Sequence, residues 1–403
     1  MRSESRNTLL NRVLAGLNTY KNAFAKPIND RYDIVLLGGA LGSLFSLCQA
    51  IASPIIGRLS DTYGRRTALM WSMVGNILSV ALWVAATDFR TFLAHRIVGG
   101  LSEGNVQLAT AIATDISSES QRGATMALVG ACFSIAFTFG PALGAWLAGK
   151  TMFAANPFAT AAGFSLLLIV TETLYLYVSL PETLPAAQGK KVAAANANGH
   201  SKANGEQGNE ENGSTNPHWL LNFIHFSFIL FFSGMEFSLP FMTYDLFTYD
   251  AKQNGRLLGF IGLIASLLQG GVVRRLHPLR VVQVGVLACA GAFVLLGRLN
   301  TEKQLYAAAT LLAVTSATVV TGLNSLSSFE ASSSERGGKL GSHRSFGQVG
   351  RALGPLLFCT LYWWAGRETA YAVGAAGVVA VCGLVFGALR KPPGTEAAGK
   401  KKS

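Results

Sequence analysis

The sequence predicts an all-α protein that crosses a membrane about eleven times. Half of its 403 residues are hydrophobic and only 13% are charged, whereas soluble domains carry about 25% charged residues. The apolar residues form blocks of about 17–26 residues, the length that a helix needs to cross roughly 30 Å of hydrocarbon. The blocks cover residues 34–56, 67–87, 91–114, 124–149, 157–180, 219–244, 255–273, 279–298, 303–327, 342–365 and 369–389.

The basic residues lie mainly in the short loops between these blocks. The formal net charge is +12, but the basic residues form no continuous face with interleaved aromatic residues, which argues against a nucleic-acid partner. The sequence contains no GxxxxGK[ST] motif, so ATP is not the predicted energy source. We predict a lipid bilayer as the environment, and no metal or cofactor.

The five cysteines match neither a metal site nor a disulfide framework. Each lies inside an apolar block, and no two are spaced as CxxC. We therefore interpret them as small, reduced core residues. They are Cys48, Cys132, Cys289, Cys359 and Cys382.

One connection differs from the others in composition. Residues 185–217 are rich in Ala, Asn, Gly, Lys and Glu and contain no Phe, Trp or Tyr, which predicts a flexible linker between two halves. The predicted organisation is a non-spanning, amphipathic segment 1–33, a first half 34–184, the linker 185–217, a second half 218–390 and a basic tail 391–403.

The two halves match each other at one constant spacing along the chain. The matched positions are Gly57 with Gly271, Arg66 with Arg280, Arg122 with Arg336, Gly123 with Gly337 and Pro141 with Pro355. An ordered set of matches at the same spacing indicates an internal repeat. Parallel repeats of about six helices are typical of one large class of secondary transporters.

The repeat predicts a helix near residues 5–30 as the partner of block 219–244. That region cannot span a bilayer, because it carries Arg6, Arg12, Lys21, Lys26 and Asp30. We therefore expect the first helix of the first half to be missing. Apolar residues at helical spacing between positions 9 and 24 indicate an amphipathic helix instead. It lies either in the membrane interface or in solvent.

The basic residues also predict the orientation. About 18 fall on the side of the 57–66 loop, the linker and the C-terminal tail, and about 7 fall in the short loops opposite. The positive-inside rule places the richer side in the cytosol and the N-terminus outside. This count assigns Arg344 to the cytosolic side.

The loop from Gly57 to Arg66 reads Gly-Arg-Leu-Ser-Asp-Thr-Tyr-Gly-Arg-Arg. It resembles the loop signature of the major facilitator superfamily. Two glycines allow a tight turn, and the carboxylate of Asp61 suits the N-terminus of a neighbouring helix. The resemblance implies a cytosolic gate, and the alternative is a positively charged anchor alone. The implied gate residues are Gly57, Asp61, Gly64, Arg65, Arg66, Asp115 and Arg122.

Further motifs resemble the drug:proton antiporter branch of that superfamily, and in particular its eukaryotic tetracycline-transporter-like members. Arg96 followed by Gly100 resembles the fourth-helix signature, and Leu180-Pro181-Glu182 resembles the exit of the sixth helix. The fifth-helix signature associated with antiporters is matched by Gly130, Gly140, Pro141 and Gly144, with Gly354 and Pro355 in the second half. The resemblance implies the major facilitator fold with two six-helix repeats.

Five charged residues lie within apolar blocks. A charge in hydrocarbon is costly unless it is paired or faces water, so each is a candidate functional residue. Glu236, Glu103 and Glu172 are candidates for proton coupling. Arg96, Arg351, Asn105, Gln107 and Gln348 are candidates for the substrate cavity. The alternative is a set of internal salt bridges and polar helix contacts without a role in transport.

These observations predict a secondary transporter that exports small amphiphilic solutes, drug-like or organic-anion-like, by proton antiport and alternating access. Its partners would be the solute and protons, and it would act as a monomer in the plasma membrane or an endomembrane such as the vacuole. The alternatives are a non-transporting sensor or scaffold and an inactive truncated isoform. A polytopic enzyme is disfavoured, because the six histidines are scattered and form no catalytic motif.

Overall fold

The computed structural model describes residues 9–22, 31–149, 156, 158–184 and 215–392. Residues 185–214 of the predicted linker and the tail from residue 393 lie outside the described residues. Within the described ranges the chain is α-helical and contains no strand. The helices are α1 Leu9–Asn22, α2 Arg31–Tyr63, α3 Arg65–Val84, α4 Phe89–Ser102, α5 Asn105–Asp115, α6 Glu119–Ala148, α7 Ala159–Ser179, α8 His218–Phe247, α9 Ala251–Gly271, α10 Pro278–Gly297, α11 Glu302–Phe329, α12 Arg336–Ala365 and α13 Arg367–Gly387.

Nine helices of the described chain are long and apolar enough to cross a membrane. The sequence predicted about eleven spans, and two of them are outside this set for different reasons. The predicted span 91–114 is divided into α4 and α5, each shorter than a bilayer is thick. α12 has 30 residues but includes four Arg or Lys side chains.

The internal repeat is visible in the helix bounds. α3 begins at position 65 and its counterpart α10 at position 278. α4 begins at position 89 and α11 at position 302, so both pairs are separated by the same length of chain. α8 has no equally long partner in the described part of the first half, where α1 has 14 residues.

The prediction of one continuous helix over 91–114 was wrong. The chain breaks at Glu103 and Gly104, where Gly104 N donates to Ser102 O at 2.8 Å in a tight turn. Ser72 of α3 stabilises the break, because its hydroxyl accepts from Gly104 N at 2.8 Å and lies within hydrogen-bond distance of two acceptors, Ser102 O and Asn105 Oδ1. The equivalent α11 is continuous from Glu302 to Phe329.

The two halves are joined mainly along α2 and α12. Glycines allow this close approach, since a side chain at Gly57 would overlap the Gly337 carbonyl and one at Gly341 would overlap the Ser53 carbonyl. α6 and α9 pack together elsewhere on the same seam, where a Cβ on Gly262 would overlap Thr138. The two contacts correspond to each other under the repeat, because α2 is equivalent to α9 and α6 is equivalent to α12.

The amphipathic segment forms α1, as predicted. Leu17 packs against a cluster that contains Leu36 and Cys359, and the hydroxyls of Tyr20 and Thr360 are 3.1 Å apart. α1 thus lies beside α2 and α12, and its position in the membrane interface stays a prediction. All five cysteines are free thiols, but Cys132 is exposed on the protein surface. Its assignment to the core was therefore wrong.

Candidate transport cavity and gate

The turn between α2 and α3 reaches the other half through Asp61. Its Oδ1 accepts a hydrogen bond from Gly337 N at 2.8 Å, and its Oδ2 accepts one from Gly338 N at 2.7 Å. These amides belong to the first turn of α12, where N–H groups lack helical partners and the helix dipole favours an anion. Asp61 therefore caps a helix of the second half, as the sequence suggested.

Arg65 and Asp115 extend this contact. Arg65 is fully buried; its Nη1 donates to Asp61 Oδ1 at 2.6 Å, and its Nε donates to Asp115 Oδ2 at 2.9 Å. Asp115 also accepts from Arg336 Nη1 of α12. Because two arginines alternate with two carboxylates, no charge in the group is left without a partner. We define the latch as Asp61, Arg65, Asp115, Arg336 and the amides of Gly337 and Gly338.

Gly64 and Glu182 hold the start of α3 within the first half. Gly64 has φ 102°, in the left-handed region that favours glycine, and a Cβ there would overlap the Glu182 carboxylate. Glu182 accepts from Arg65 N at 2.8 Å and from Arg66 N at 3.2 Å. Arg66 Nη2 donates to Tyr177 O at 2.6 Å. Among the described residues, Arg66 therefore contacts its own half and not the second half.

Arg122 provides a further contact between the halves. Its Nη1 is 3.5 Å from Ser328 O, and its guanidinium lies 5.1 Å from the ring centre of Phe329. Arg122 belongs to α6, and both contacts belong to α11. Five of the seven predicted gate residues lie at the junction of the halves: Gly57, Asp61, Arg65, Asp115 and Arg122. The other two, Gly64 and Arg66, contact residues of their own half.

A cavity of about 440 Å³ lies between the two halves. Its wall comes from α2, α5 and α6 of the first half and from α8, α9, α11 and α12 of the second. Five phenylalanines contribute to the wall, together with amide and charged side chains. The aromatic residues are Phe45, Phe133, Phe137, Phe228 and Phe232. A volume of several hundred Å³ with mixed apolar and polar walls is typical of sites for small molecules.

Glu236 and Arg351 face this cavity as an ion pair. Arg351 Nη1 donates to Glu236 Oε2 at 3.3 Å. The side chains are 44% and 34% exposed for Arg351 and Glu236 respectively. The pair joins α8 to α12 within the second half. Glu236 is thus both paired and accessible from the cavity.

Glu103, Gln107 and Gln348 also contribute to the cavity wall. Glu103 lies at the break between α4 and α5. Gln107 Nε2 donates to Ser53 O at 2.7 Å, but the Oε1 atoms of Gln107 and Gln348 are enclosed without a donor among the described residues. The cavity wall therefore contains five of the predicted pathway residues: Glu103, Gln107, Glu236, Gln348 and Arg351.

Three other predicted pathway residues lie outside the cavity wall. Arg96 lies over the rings of Phe92 and Phe45, 5.3 Å and 6.0 Å from their centres. Asn105 accepts a hydrogen bond from Ser72 at the helix break. Glu172 is exposed on α7, near enough to Glu103 for the two charges to interact. For Arg96 and Asn105 the structure corrects the predicted position, because helical spacing alone does not tell which face meets the cavity.

The predicted antiporter glycines differ in their surroundings. A Cβ on Gly130 would lie 2.6 Å from Gln269 Nε2 of α9. One on Gly354 would overlap Ser233 and Leu230 of α8, beside the buried Pro355. No described atom lies within 4 Å of a Cβ built on Gly140 or Gly144. The backbone at position 141 continues α6, but the side chain of Pro141 lies outside the described atoms.

Sequence reasoning missed two of the titratable residues in the described cavity wall, Arg344 and His225. Arg344 belongs to α12 and faces the cavity, so its assignment to the cytosolic basic residues was wrong. It precedes Gln348 and Arg351 at a helical spacing that could have revealed their common face. His225 of α8 also lines the cavity. It stacks on His343 at 4.2 Å between ring centres and donates from Nδ1 to the His343 carbonyl at 3.0 Å.

Comparison with known proteins identifies the fold and the family. Residues 9–355 match the family model of the Major Facilitator Superfamily. The chain is 34% identical over 379 residues to major facilitator superfamily domain-containing protein 10 of Mus musculus, covering 90% of this chain and 80% of that one. It is 26% identical over 340 residues to the class B tetracycline resistance protein of Escherichia coli, covering 82% and 80%.

Solved structures agree with these matches. The crystal structure of the human organic anion transporter MFSD10 (TETRAN) superposes with a TM-score of 0.80 at 31% identity, covering 94% of this chain and 90% of that chain. The proton:xylose symporter XylE superposes with a TM-score of 0.67 at 14% identity, which supports the fold alone. The chain is therefore an integral, multi-pass membrane protein that belongs to the major facilitator superfamily of transporters.

Proposed function

We propose that this protein exports small amphiphilic solutes, including organic anions, by alternating access and proton antiport. The observation that carries the proposal is a cavity between two repeats, with the latch joining the same two repeats. In this mechanism the halves rock about the cavity, so that the latch forms in one state and separates in the other.

The chemistry of the cavity supports an amphiphilic solute. Aromatic side chains provide apolar surface, and amides and arginines provide polar contacts. The names of two similar proteins point the same way, because one is called an organic anion transporter and another a tetracycline resistance protein. We propose the same broad class of solute for this chain, with one chain as the working unit and no catalytic activity.

The proposed orientation follows from the basic residues. The positive-inside rule places the latch end in the cytosol. When the latch is formed, the two halves are in contact at that end, so a solute in the cavity is separated from the cytosol. The host membrane is proposed as the plasma membrane or an endomembrane such as the vacuole.

Glu236 is the proposed coupling residue. It lies in the cavity wall with Arg351 as its partner at 3.3 Å, so gain or loss of a proton would weaken or restore an ion pair inside the pathway. Glu103, at the helix break, is the next candidate, and Glu172 follows it because its charge interacts with that of Glu103.

Reconstitution in sealed vesicles tests the proposal. Glu236→Gln keeps the shape of the side chain but can neither carry its negative charge nor bind a proton. We expect the variant to exchange solute for solute and to fail to concentrate solute against its gradient when a pH gradient is imposed. Uphill transport by the variant would exclude Glu236 as the coupling residue. Solute binding by the wild type without any flux would favour a sensor or scaffold.

A further inference from the structure

One cation in the cavity wall has no partner among the described residues. α12 presents Arg344, Gln348 and Arg351 to the cavity. Arg351 is paired with Glu236, whereas the guanidinium of Arg344 makes no hydrogen bond or ion pair with any described residue, and its Nε is enclosed without an acceptor. Arginine has five N–H donors and no acceptor, so a partner of Arg344 must supply acceptor atoms such as oxygens.

Glu103 does not supply that partner. It lies in the first half, across the cavity, and its charge interacts with that of Arg344. Within the described structure, however, the two side chains form no ion pair within 4.0 Å. An unpaired charge inside a membrane protein is costly, and a bound anion would offset that cost.

The surroundings of Arg344 indicate the size and polarity of the part of the anion that lies beyond its headgroup. Phe228 and Phe232 line the same cavity on α8, and Phe45 lines it on α2. They offer apolar surface for a ring system. The Oε1 atom of Gln348, one helical turn from Arg344, lacks a donor among the described residues. A volume of about 440 Å³ suits one small, fused-ring molecule.

We propose that Arg344 is the headgroup site for an aromatic monoanion, a carboxylate or a sulfonate, whose ring system packs among the phenylalanines of the cavity. The guanidinium binds two oxygens of the headgroup in parallel, a geometry that a planar guanidinium favours. A monoanion fits because, of the arginines in the described cavity wall, Arg351 already has a carboxylate partner. This proposal rests on the proposed transport of amphiphilic solutes and specifies their class.

Binding to the full chain in lipid nanodiscs tests this site independently of transport. The probes are tritiated 1-naphthoate and its neutral isostere 1-naphthamide, which share the ring system but differ in charge. In Arg344→Gln we expect the Kd for 1-naphthoate to rise about 10- to 100-fold, with the Kd for 1-naphthamide nearly unchanged. Arg344→Lys keeps the charge but loses the bidentate geometry, so we expect an intermediate Kd.

Arg275→Gln is the matched control. It also replaces an arginine with glutamine, but Arg275 is exposed at the short 3₁₀ turn between α9 and α10, outside the cavity wall. We expect its naphthoate affinity to equal that of the wild type. Thermal unfolding and size-exclusion profiles show whether each variant is folded, and Arg344→Lys provides the comparison if Arg344→Gln does not fold.

Three results would overturn the headgroup site. They are an unchanged naphthoate affinity in Arg344→Gln, an equal loss of affinity for both probes, and a wild type that does not bind 1-naphthoate. None of these results concerns flux, so solute export in the vesicle assay would survive them. Conversely, a chain that binds 1-naphthoate through Arg344 but moves no solute would retain this site and lose the proposed function.

Discussion

The α2–α3 turn and its repeat counterpart between α9 and α10 have the same position in their halves and make different contacts. In the first half, Asp61 binds the N-terminus of α12 across the junction. At the spacing that relates Gly57 to Gly271, the counterpart of Asp61 is Arg275, which ends a short 3₁₀ turn. There His277 caps its own α10 by accepting from Leu279 N at 3.2 Å.

Both halves have the turn, but only the first half has a carboxylate there that binds the other half. The difference in contacts therefore follows from one side chain, Asp61 in the first half and Arg275 in the second. A carboxylate can cap a helix N-terminus of the other half, whereas an arginine cannot. The glycines of the two turns differ in the same way. Gly57 is in close contact with Gly337, whereas no described atom lies within 4 Å of a Cβ built on Gly271. The first-half turn is therefore the one suited to act as a gate.

The largest expected effect comes from Asp61→Asn. The amide keeps one acceptor but presents an N–H₂ group to the donors of Gly338 or Arg65, so at least one charge-assisted hydrogen bond is lost. We expect solute flux in sealed vesicles to fall by roughly tenfold or more, with expression and insertion retained. Arg275→Gln is the matched control in the other turn, and it should transport normally. Equal loss in both variants would remove the distinction between the turns.

A second effect separates the two glycines. In Gly57→Ala the new Cβ meets backbone atoms of Gly337 and Gly338, so the helices must move apart. Overpacking of this kind destabilises proteins by about 1–3 kcal/mol. We therefore expect a lower Tm and reduced flux. Gly271→Ala should leave both values close to the wild type. If Gly57→Ala kept the wild-type Tm and flux, the close approach of α2 and α12 would not be needed for stability or transport.

The smallest effect concerns His277. Burial, with the positive charges of Lys391 and Arg280, lowers its pKa from 6.5 to about 4. The folded state thus binds a proton at His277 less readily than the unfolded state does. The free energy of unfolding is therefore unaffected by this group above about pH 6.5 and declines as the pH falls toward 4. His277→Asn keeps an acceptor for the cap and cannot titrate. Between pH 7.5 and 5, the Tm of this variant should fall less than that of the wild type. An equal fall in Tm for both proteins would show that His277 does not cause the loss of stability.

The sequence predicted the first-half side of the latch well because that side is local, whereas it did not identify Arg336, Gly337 and Gly338 as the partners across the junction. Asp61, Gly64 and Arg65 lie in one short motif, and a carboxylate beside a helix N-terminus follows from electrostatics. The helix break at Glu103 was missed because hydropathy is continuous across positions 91–114, and the break depends on Ser72 of another helix.

The cavity was predicted less well because it depends on which helix faces meet. Arg96 was a candidate because it lies in an apolar block, yet its guanidinium packs on Phe92 and Phe45 and does not itself line the cavity. Arg344 was taken for a basic residue at the membrane surface, because the start of α12 is polar and resembles a loop in hydropathy. A periodicity argument from Gln348 and Arg351 along α12 would have placed it correctly.

Distance measurement across the latch tests the central claim most directly. Spin labels at positions 62 and 339, which lie on opposite halves at the latch, report whether the halves separate there. In nanodiscs we predict a short-distance population and a longer one for the wild type. The ratio should shift toward the longer distance in Asp61→Asn and stay unchanged in Arg275→Gln. One short population, identical in all three proteins, would contradict the claim that the latch is a reversible gate.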